Sequence, residues 1–260
     1  MPKDRFQGRE PPRKPPARGS RRESGDEVVL YGWHPVAEAL RNRRRGFRRL
    51  LATENSARRL EEELGKLPLA PEIVRPEAIN RLVEPDAVHQ GLYLEADALP
   101  APALDELGGN PLVVVLDQIT DPHNVGAILR SCAAFGVDAV ITTARHSPAA
   151  TGVLAKSASG GLEHVPFVVV RNLAEALIEL GERGFQRVGF DSEGDVALGE
   201  VAVRRPLALV LGAEGKGLRQ RTRECCDVLG RLDMPGAIKS LNVSNAAAVA
   251  LYALSSRLAA

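Results

Sequence analysis

Leu112-Val113-Val114-Val115-Leu116-Asp117 is an unbroken apolar run that ends on an acid. It shows no polar alternation, so both faces must be buried, as in an inner strand of a parallel sheet with helices on either side. Outward from it, Ala139 to Thr142, Val165 to Val170, Arg187 to Asp191, Leu207 to Leu211 and Val228 to Leu232 read as further strands. Helices are predicted near Val125 to Phe135, Leu173 to Gly184, Gly217 to Glu224 and Asn242 to Leu258. Strands separated by helical stretches make βαβ units and a doubly wound α/β sheet, with ligands at the carboxyl ends of the strands. Asp117 and Gly212 both stand at such ends.

Upstream lies a smaller α/β module. Val28 to Gly32, Leu50 to Ala52, Glu72 to Val74 and Gly91 to Glu95 read as strands, with helices opening at Pro35, from Arg58 to Leu67 and from Glu77 to Leu82. Ala98-Leu99-Pro100-Ala101-Pro102-Ala103, closed by Gly108-Gly109-Asn110, breaks the pattern and marks a boundary. The expected organisation is a basic tail over residues 1–25, a small domain over 26–96, a linker over 97–110 and a larger domain over 111–260. The tail holds Lys3, Arg5, Arg9, Arg13, Lys14, Arg18, Arg21 and Arg22 against Asp4, Glu10 and Glu23, with prolines interleaved, and is predicted to be disordered.

The 260 residues are 44% hydrophobic, ample for a sizeable core. Formal net charge is only +1, so affinity for nucleic acid must come from how charge is distributed. No apolar run follows the basic tail as a secretory signal requires, and none is long enough to span a bilayer, so a cytoplasmic, non-membrane protein is expected. Cys132 and the adjacent Cys225 and Cys226 lack metal-ligand spacing, which predicts free thiols and no metal.

Three segments carry the chemistry. Leu211-Gly212-Ala213-Glu214-Gly215-Lys216-Gly217 is a strand end running into glycines. It is not a P-loop, because Gly217 and not Ser or Thr follows Lys216, and its spacing is wrong for a dinucleotide fingerprint. Its plain alternative is a tight turn with a glutamate at a helix start. In Asp121-Pro122-His123-Asn124-Val125-Gly126-Ala127-Ile128-Leu129-Arg130, Asn124 reads either as a helix cap or as a polar group at the loop mouth. Arg130 interrupts an apolar helix and suggests an anionic partner, with a solvated face as the alternative. Ser240-Leu241-Asn242 precedes an alanine-rich helix, where capping alone would choose such residues.

Taken in order, these three segments resemble the three motifs of the SpoU (TrmH-like) RNA ribose 2'-O-methyltransferases. Tyr31-Gly32-Trp33-His34-Pro35-Val36-Ala37-Glu38-Ala39-Leu40 and Val88-His89-Gln90-Gly91 resemble the L30e-like RNA-binding domain of the branch that modifies a guanosine in large-subunit (23S) ribosomal RNA. Lys156-Ser157-Ala158-Ser159-Gly160-Gly161-Leu162-Glu163 is similar to a further family segment and carries little weight here.

The resemblance implies a SPOUT fold with a carboxyl-terminal trefoil knot, which composition could not have shown. It implies S-adenosyl-L-methionine held around Leu211, Gly212, Leu232, Met234 and Leu241, although relatives often carry proline where this chain has Asp233. A homodimer acting on ribosomal RNA is implied as well. Catalytic roles fall on Asn124 and Asn242 as orienting groups, Ser240 as a loop anchor, and Glu214 as a holder of Asn or Arg. Arg130 serves as phosphate anchor and stabiliser of alkoxide-like charge, because a guanidinium is a poor proton acceptor near neutrality. Arg41, Arg43, Arg44, Arg45, Arg48 and Arg49 form a cluster read as phosphate contacts beside an RNA-binding domain, with solvated charge as the default. A tRNA ribose methyltransferase and a non-catalytic ribosome-assembly factor are the rival readings.

Overall fold

The computed structural model describes residues 27–144 and 152–258, so the tail expected over residues 1–25 lies outside the described residues. Two sheets organise the chain. The first has the order β1-β4-β2-β3, with β1 at Glu27–Tyr31, β2 at Phe47–Ala52, β3 at Glu72–Ile73 and β4 at Leu92–Asp97. β4 pairs antiparallel with both β1 and β2, and β3 joins β2 in parallel. Helices α1 (Trp33–Arg41) and α2 (Glu54–Leu64) cover it, bringing Val36, Leu40, Ala57 and Leu60 against Leu30, Leu50 and Leu94. A short helix, α3, follows at Pro76–Asn80.

The second sheet is parallel throughout, in the order β7-β6-β5-β10-β8-β11-β9. Its strands are β5 (Leu112–Asp117), β6 (Ala139–Thr143), β7 (Phe167–Val170), β8 (Gln186–Phe190), β9 (Val196–Ala197), β10 (Leu207–Gly212) and β11 (Val228–Arg231). All six residues of β5 are buried. Leu112, Val114 and Leu116 share a cluster with residues of α4 (Pro122–Ala134) and α8 (Val243–Leu258). Val113 and Val115 share another with α6 (Leu173–Glu182). The missing alternation in the sequence thus has a direct cause: both faces of the strand are covered by helices.

Two departures from the sequence reading are local. The helix expected from Gly217 begins only at Gln220, as α7 (Gln220–Glu224), because Gly217 has a left-handed φ of 64° and Arg219 is extended. The other is α5 (Gly152–Ala158), which the sequence reading did not assign. α5 joins the two units: Ala155 is buried in the core of the first, while Leu154 and Ala158 are buried in the core of the second. The segment between the sheets is fastened down, since the Arg183 guanidinium donates to the carbonyls of Leu104 and Leu107 and Leu107 is buried.

Candidate active site

Gly212 at the end of β10 lies beside Asp117 at the end of β5, so the loops after the two central strands leave the sheet together. The β10 loop closes on itself, with the Gly217 N–H donating to the Ala213 carbonyl at 2.8 Å. A Cβ on Gly212 would sit 2.2 Å from the Gly217 carbonyl carbon, so only glycine permits this close approach. Two buried carboxylates brace the region. Asp117 receives the Arg219 main-chain N–H at 2.9 Å and its Nε at 2.7 Å. Asp191, just past β8, receives Arg223 Nη1 at 3.0 Å and the Glu193 N–H at 3.0 Å. The sequence reading assigned none of these four side chains to the site. The available signal was an acid closing an apolar strand, combined with two arginines one helical turn apart.

Around this bracing lies a cavity of 530 Å³. Leu211, Gly212, Leu232, Met234 and Leu241, the five positions named for the cofactor, all line it, as do Glu214 and Ser240. Between Leu232 and Leu241 no main-chain group bonds to another main-chain group among the described residues. The polar ties of this loop include Arg231 Nε to Asp233 Oδ1 at 2.9 Å and Lys239 Nζ to the Met234 carbonyl at 2.5 Å. Apart from the Met234 carbonyl, its main-chain N–H and C=O groups are therefore left to water or a ligand. Apolar walls beside unspent main-chain donors and acceptors suit a flat heterocycle with hydrogen-bonding edges. The adenine of S-adenosylmethionine is such a group, and a cavity of 530 Å³ is of the size that takes a small-molecule ligand.

Asn124 does not cap α4. Asp121 does, accepting the His123 N–H at 3.0 Å with Pro122 at the first helical position, and Asn124 falls inside the first turn. Its Oδ1 accepts from Asn242 Nδ2 at 3.0 Å. Asn242 meanwhile accepts the Ser244 N–H at 2.9 Å and the Ser244 hydroxyl at 2.6 Å, so its amide both caps α8 and bonds across to α4. That double use fixes which amide atom faces which way. Asn242 directly follows Leu241 on the cavity wall, so the first and third segments meet at one rim.

Arg130 is exposed on α4 and makes no hydrogen bond or ion pair among the described residues. It stands six positions after Asn124, about 9 Å further along the helix. Glu214 is exposed as well and makes no hydrogen bond to Asn124 or Arg130, so the holding contact expected of it is not made among the described residues. Ser240 is likewise exposed on the cavity wall.

The arginine run is not the open basic face that its sequence suggests. Arg41 pairs with Glu38 and Glu63 at 2.6 Å, Arg48 with Glu27 and Asp97 at 2.7 Å, and Arg49 with Glu72 at 2.9 Å. The phosphate-contact reading fails for Arg45, which is buried. Its Nε and Nη2 bind Glu163 at 3.0 and 2.7 Å, and its Nη1 binds the Asp97 carbonyl at 2.6 Å. Arg43 and Arg44 have no carboxylate partner among the described residues and remain the accessible cations of the run.

Cys132, Cys225 and Cys226 are unpaired, and burial pushes the Cys132 and Cys226 thiols up to about 12, so neither is a nucleophile near neutrality. Among the described residues no three His, Cys, Asp or Glu side chains are grouped to hold a metal ion. No helix there is long and apolar enough to cross a membrane.

The sheet order, the glycine turn and the joined amides define a class, and sequence comparison agrees: the chain belongs to the SpoU rRNA Methylase family, whose model matches residues 111–252. A second model, described as RNA 2'-O ribose methyltransferase substrate binding, matches residues 29–102. Within the family, the chain is 40% identical over 232 residues to the protein of Ralstonia nicotianae named 23S rRNA (guanosine-2'-O-)-methyltransferase RlmB, covering 86% of this chain and 93% of that one. The protein of the same name from Pseudomonas aeruginosa is 37% identical over 232 residues, covering 86% and 94%. Among solved structures, the SpoU methyltransferase AviRb of Streptomyces viridochromogenes in complex with AdoMet superimposes with a TM-score of 0.76 at 26% identity, covering 92% of this chain and 94% of that one. The TrmH/SpoU tRNA modifying enzyme of A. aeolicus reaches a TM-score of 0.52 at 29% identity and covers 59% of this chain and 78% of its own.

Proposed function

We propose that this chain transfers a methyl group from S-adenosyl-L-methionine to the ribose 2'-hydroxyl of a guanosine in 23S ribosomal RNA. The observation that carries the reading is the Asn242-to-Asn124 bond, which draws two sequence-distant segments onto the rim of one cavity. Leu211, Gly212, Leu232, Met234 and Leu241 would hold the cofactor, which when bound supplies a methyl group on a sulfonium. Holding reacting atoms in line is worth roughly 7 to 11 kcal/mol of barrier, so rigid placement is the main task of the protein.

With its Oδ1 engaged by Asn242, Asn124 offers its NH₂ group to the substrate. Arg130 anchors the target phosphate and stabilises negative charge on the attacking oxygen, while phosphate or water takes the proton. Ser240 fixes the loop after β11. Glu214 steadies the rim, and with no partner among the described residues it is placed to meet a second copy. Exposed Val249 and Tyr252 on α8, together with Ile238 and Leu241, support pairing as a homodimer near the cavity. The reading further includes a trefoil knot in the carboxyl-terminal segments. It takes residues 26–96 as the L30e-like RNA-binding domain, 97–110 as linker and 111–260 as the methyltransferase domain. A cytoplasmic location is favoured by the free thiols.

Likeness along the amino-terminal unit, where the substrate-binding model matches residues 29–102, favours ribosomal over transfer RNA, as does a tRNA enzyme that covers only 59% of this chain. Arg130→Ala tests the mechanism: single-turnover methylation should fall at least about 100-fold while cofactor affinity holds, and an unchanged rate would remove Arg130 from the reaction. Depleting the protein and mapping ribose methylation across ribosomal and transfer RNA tests the substrate. Loss of one mark in 23S rRNA is expected. Loss from tRNA, or no loss anywhere, would favour the tRNA enzyme or a non-catalytic assembly factor respectively.

A further inference from the structure

Lys156 reaches from one unit into the other. It stands on α5 between Ala155, buried in the core of the amino-terminal unit, and Ser157, which faces the carboxyl-terminal one. Its Nζ donates to Gln90 Oε1 at 2.9 Å, and the same oxygen accepts the Trp33 main-chain N–H at 2.9 Å. The lysine lies so close over Gly32 that a Cβ there would sit 2.3 Å from Nζ. Among the described residues no carboxylate pairs with it, and partial burial alone lowers its pKa. An ammonium has three donors, of which this amide oxygen takes one.

The neighbouring ring adds no charge. His89 Nδ1 accepts the Gly91 N–H at 3.0 Å, so its proton lies on Nε2, facing Asn80 Oδ1 at 2.8 Å. Partial burial and the Lys156 charge together hold its pKa below the usual histidine value. Lys156 thus carries its positive charge here without a contribution from His89. The next residue connects to the active site, for Ser157 Oγ meets His123 Nδ1 at 3.2 Å, and His123 immediately precedes Asn124. α5 also packs on α4 at close range: a Cβ on Gly126 would lie 2.5 Å from Ser157 Cβ and 2.6 Å from the Leu154 carbonyl oxygen. Whatever Lys156 grips is therefore held in fixed relation to the first turn of α4.

We propose that Lys156 is a substrate-positioning residue that takes an RNA backbone phosphate at the junction of the two units. It would set how far the strand runs between the amino-terminal surface and the methyl-transfer site. This rests on the reading of the chain as an RNA ribose methyltransferase. An ammonium whose protein partner is a neutral amide lacks a counter-charge, and a phosphate oxygen supplies it while leaving the Gln90 bond intact.

The test compares full-length wild type, Lys156→Gln, Lys156→Arg and Gln90→Leu. Each is assayed for binding to a 23S rRNA fragment across a salt series, for steady-state methylation and for thermal stability. Lys156→Gln should weaken RNA binding on the order of tenfold and lower the slope of log affinity against log salt by about 0.7 to 1. KM should rise more than kcat falls, with cofactor affinity unchanged, and Lys156→Arg should restore the slope. Gln90→Leu removes the bond between the units but keeps the cation, so its salt slope should match wild type. A wild-type slope in Lys156→Gln, or equal losses in Lys156→Gln and Gln90→Leu, would reduce Lys156 to a structural tie and overturn the proposal. RNA that the wild type binds but does not methylate would remove the methyltransferase reading instead, and the salt slopes would still decide the role of Lys156.

Discussion

Replacing Glu163 with alanine deletes the carboxylate that receives Arg45 at 2.7 and 3.0 Å and Asn42 at 2.9 Å. The Arg45 and Glu163 side chains are 2% and 3% exposed, so water cannot take the place of the lost partner. Among the described residues the remaining guanidinium keeps only the Asp97 carbonyl, at 2.6 Å. Stranding one member of a buried pair costs roughly 3 to 5 kcal/mol. An exposed pair such as Arg58 with Glu62, at 4.0 Å, is worth about 0 to 1 kcal/mol. Glu62→Ala should therefore be nearly silent, whereas Arg45→Met combined with Glu163→Leu, which removes both charges, should recover most of the Glu163→Ala loss. Urea unfolding followed by fluorescence reads the effect directly, because Trp33 is the chain's single tryptophan and is buried in the core of the amino-terminal unit. With slopes of about 1 to 3 kcal/mol per molar, the midpoint should fall by at least about 1 M. A loss below about 1 kcal/mol would refute the claim that this pair is committed to the joint, and would return Arg45 to the surface cations.

Two further outcomes follow from the site. Asn242→Asp keeps the cap on α8 but removes the Nδ2 donor, so the Asn124 amide must flip and present oxygen where it offered NH₂; kcat should fall on the order of 100-fold with stability within about 0.5 kcal/mol of wild type, and unchanged turnover would show that the amide orientation is irrelevant. Gly212→Ala places a methyl group 2.4 Å from the Leu218 nitrogen, so main chain has to move; calorimetry should find cofactor affinity weaker by at least about tenfold with the circular dichroism spectrum retained, and wild-type affinity would sink the argument.

What the sequence disclosed and what it concealed divide along one physical line. β5 was legible in full because burial on both faces leaves its mark on consecutive residues. The glycine turn and the Asn242 cap were legible for the same reason, since each is demanded by the backbone at its own position. α5 was not, because its small residues answer to contacts in two different cores and carry no period of their own. The six arginines between Arg41 and Arg49 look alike in the chain, yet four of them pair with Glu27, Glu38, Glu63, Glu72, Asp97 and Glu163, the last 118 positions away from Arg45. Only a folded chain can sort paired cations from free ones. That sorting also gives physical content to a net charge of +1 in a protein proposed to bind RNA: acids neutralise much of the conspicuous run, while Arg43, Arg44, Arg130 and Lys156 keep charge without a carboxylate among the described residues. A phosphate backbone gains most from cations whose attraction is not already spent within the protein, so salt dependence should follow cations of this unpaired kind and not the arginine count.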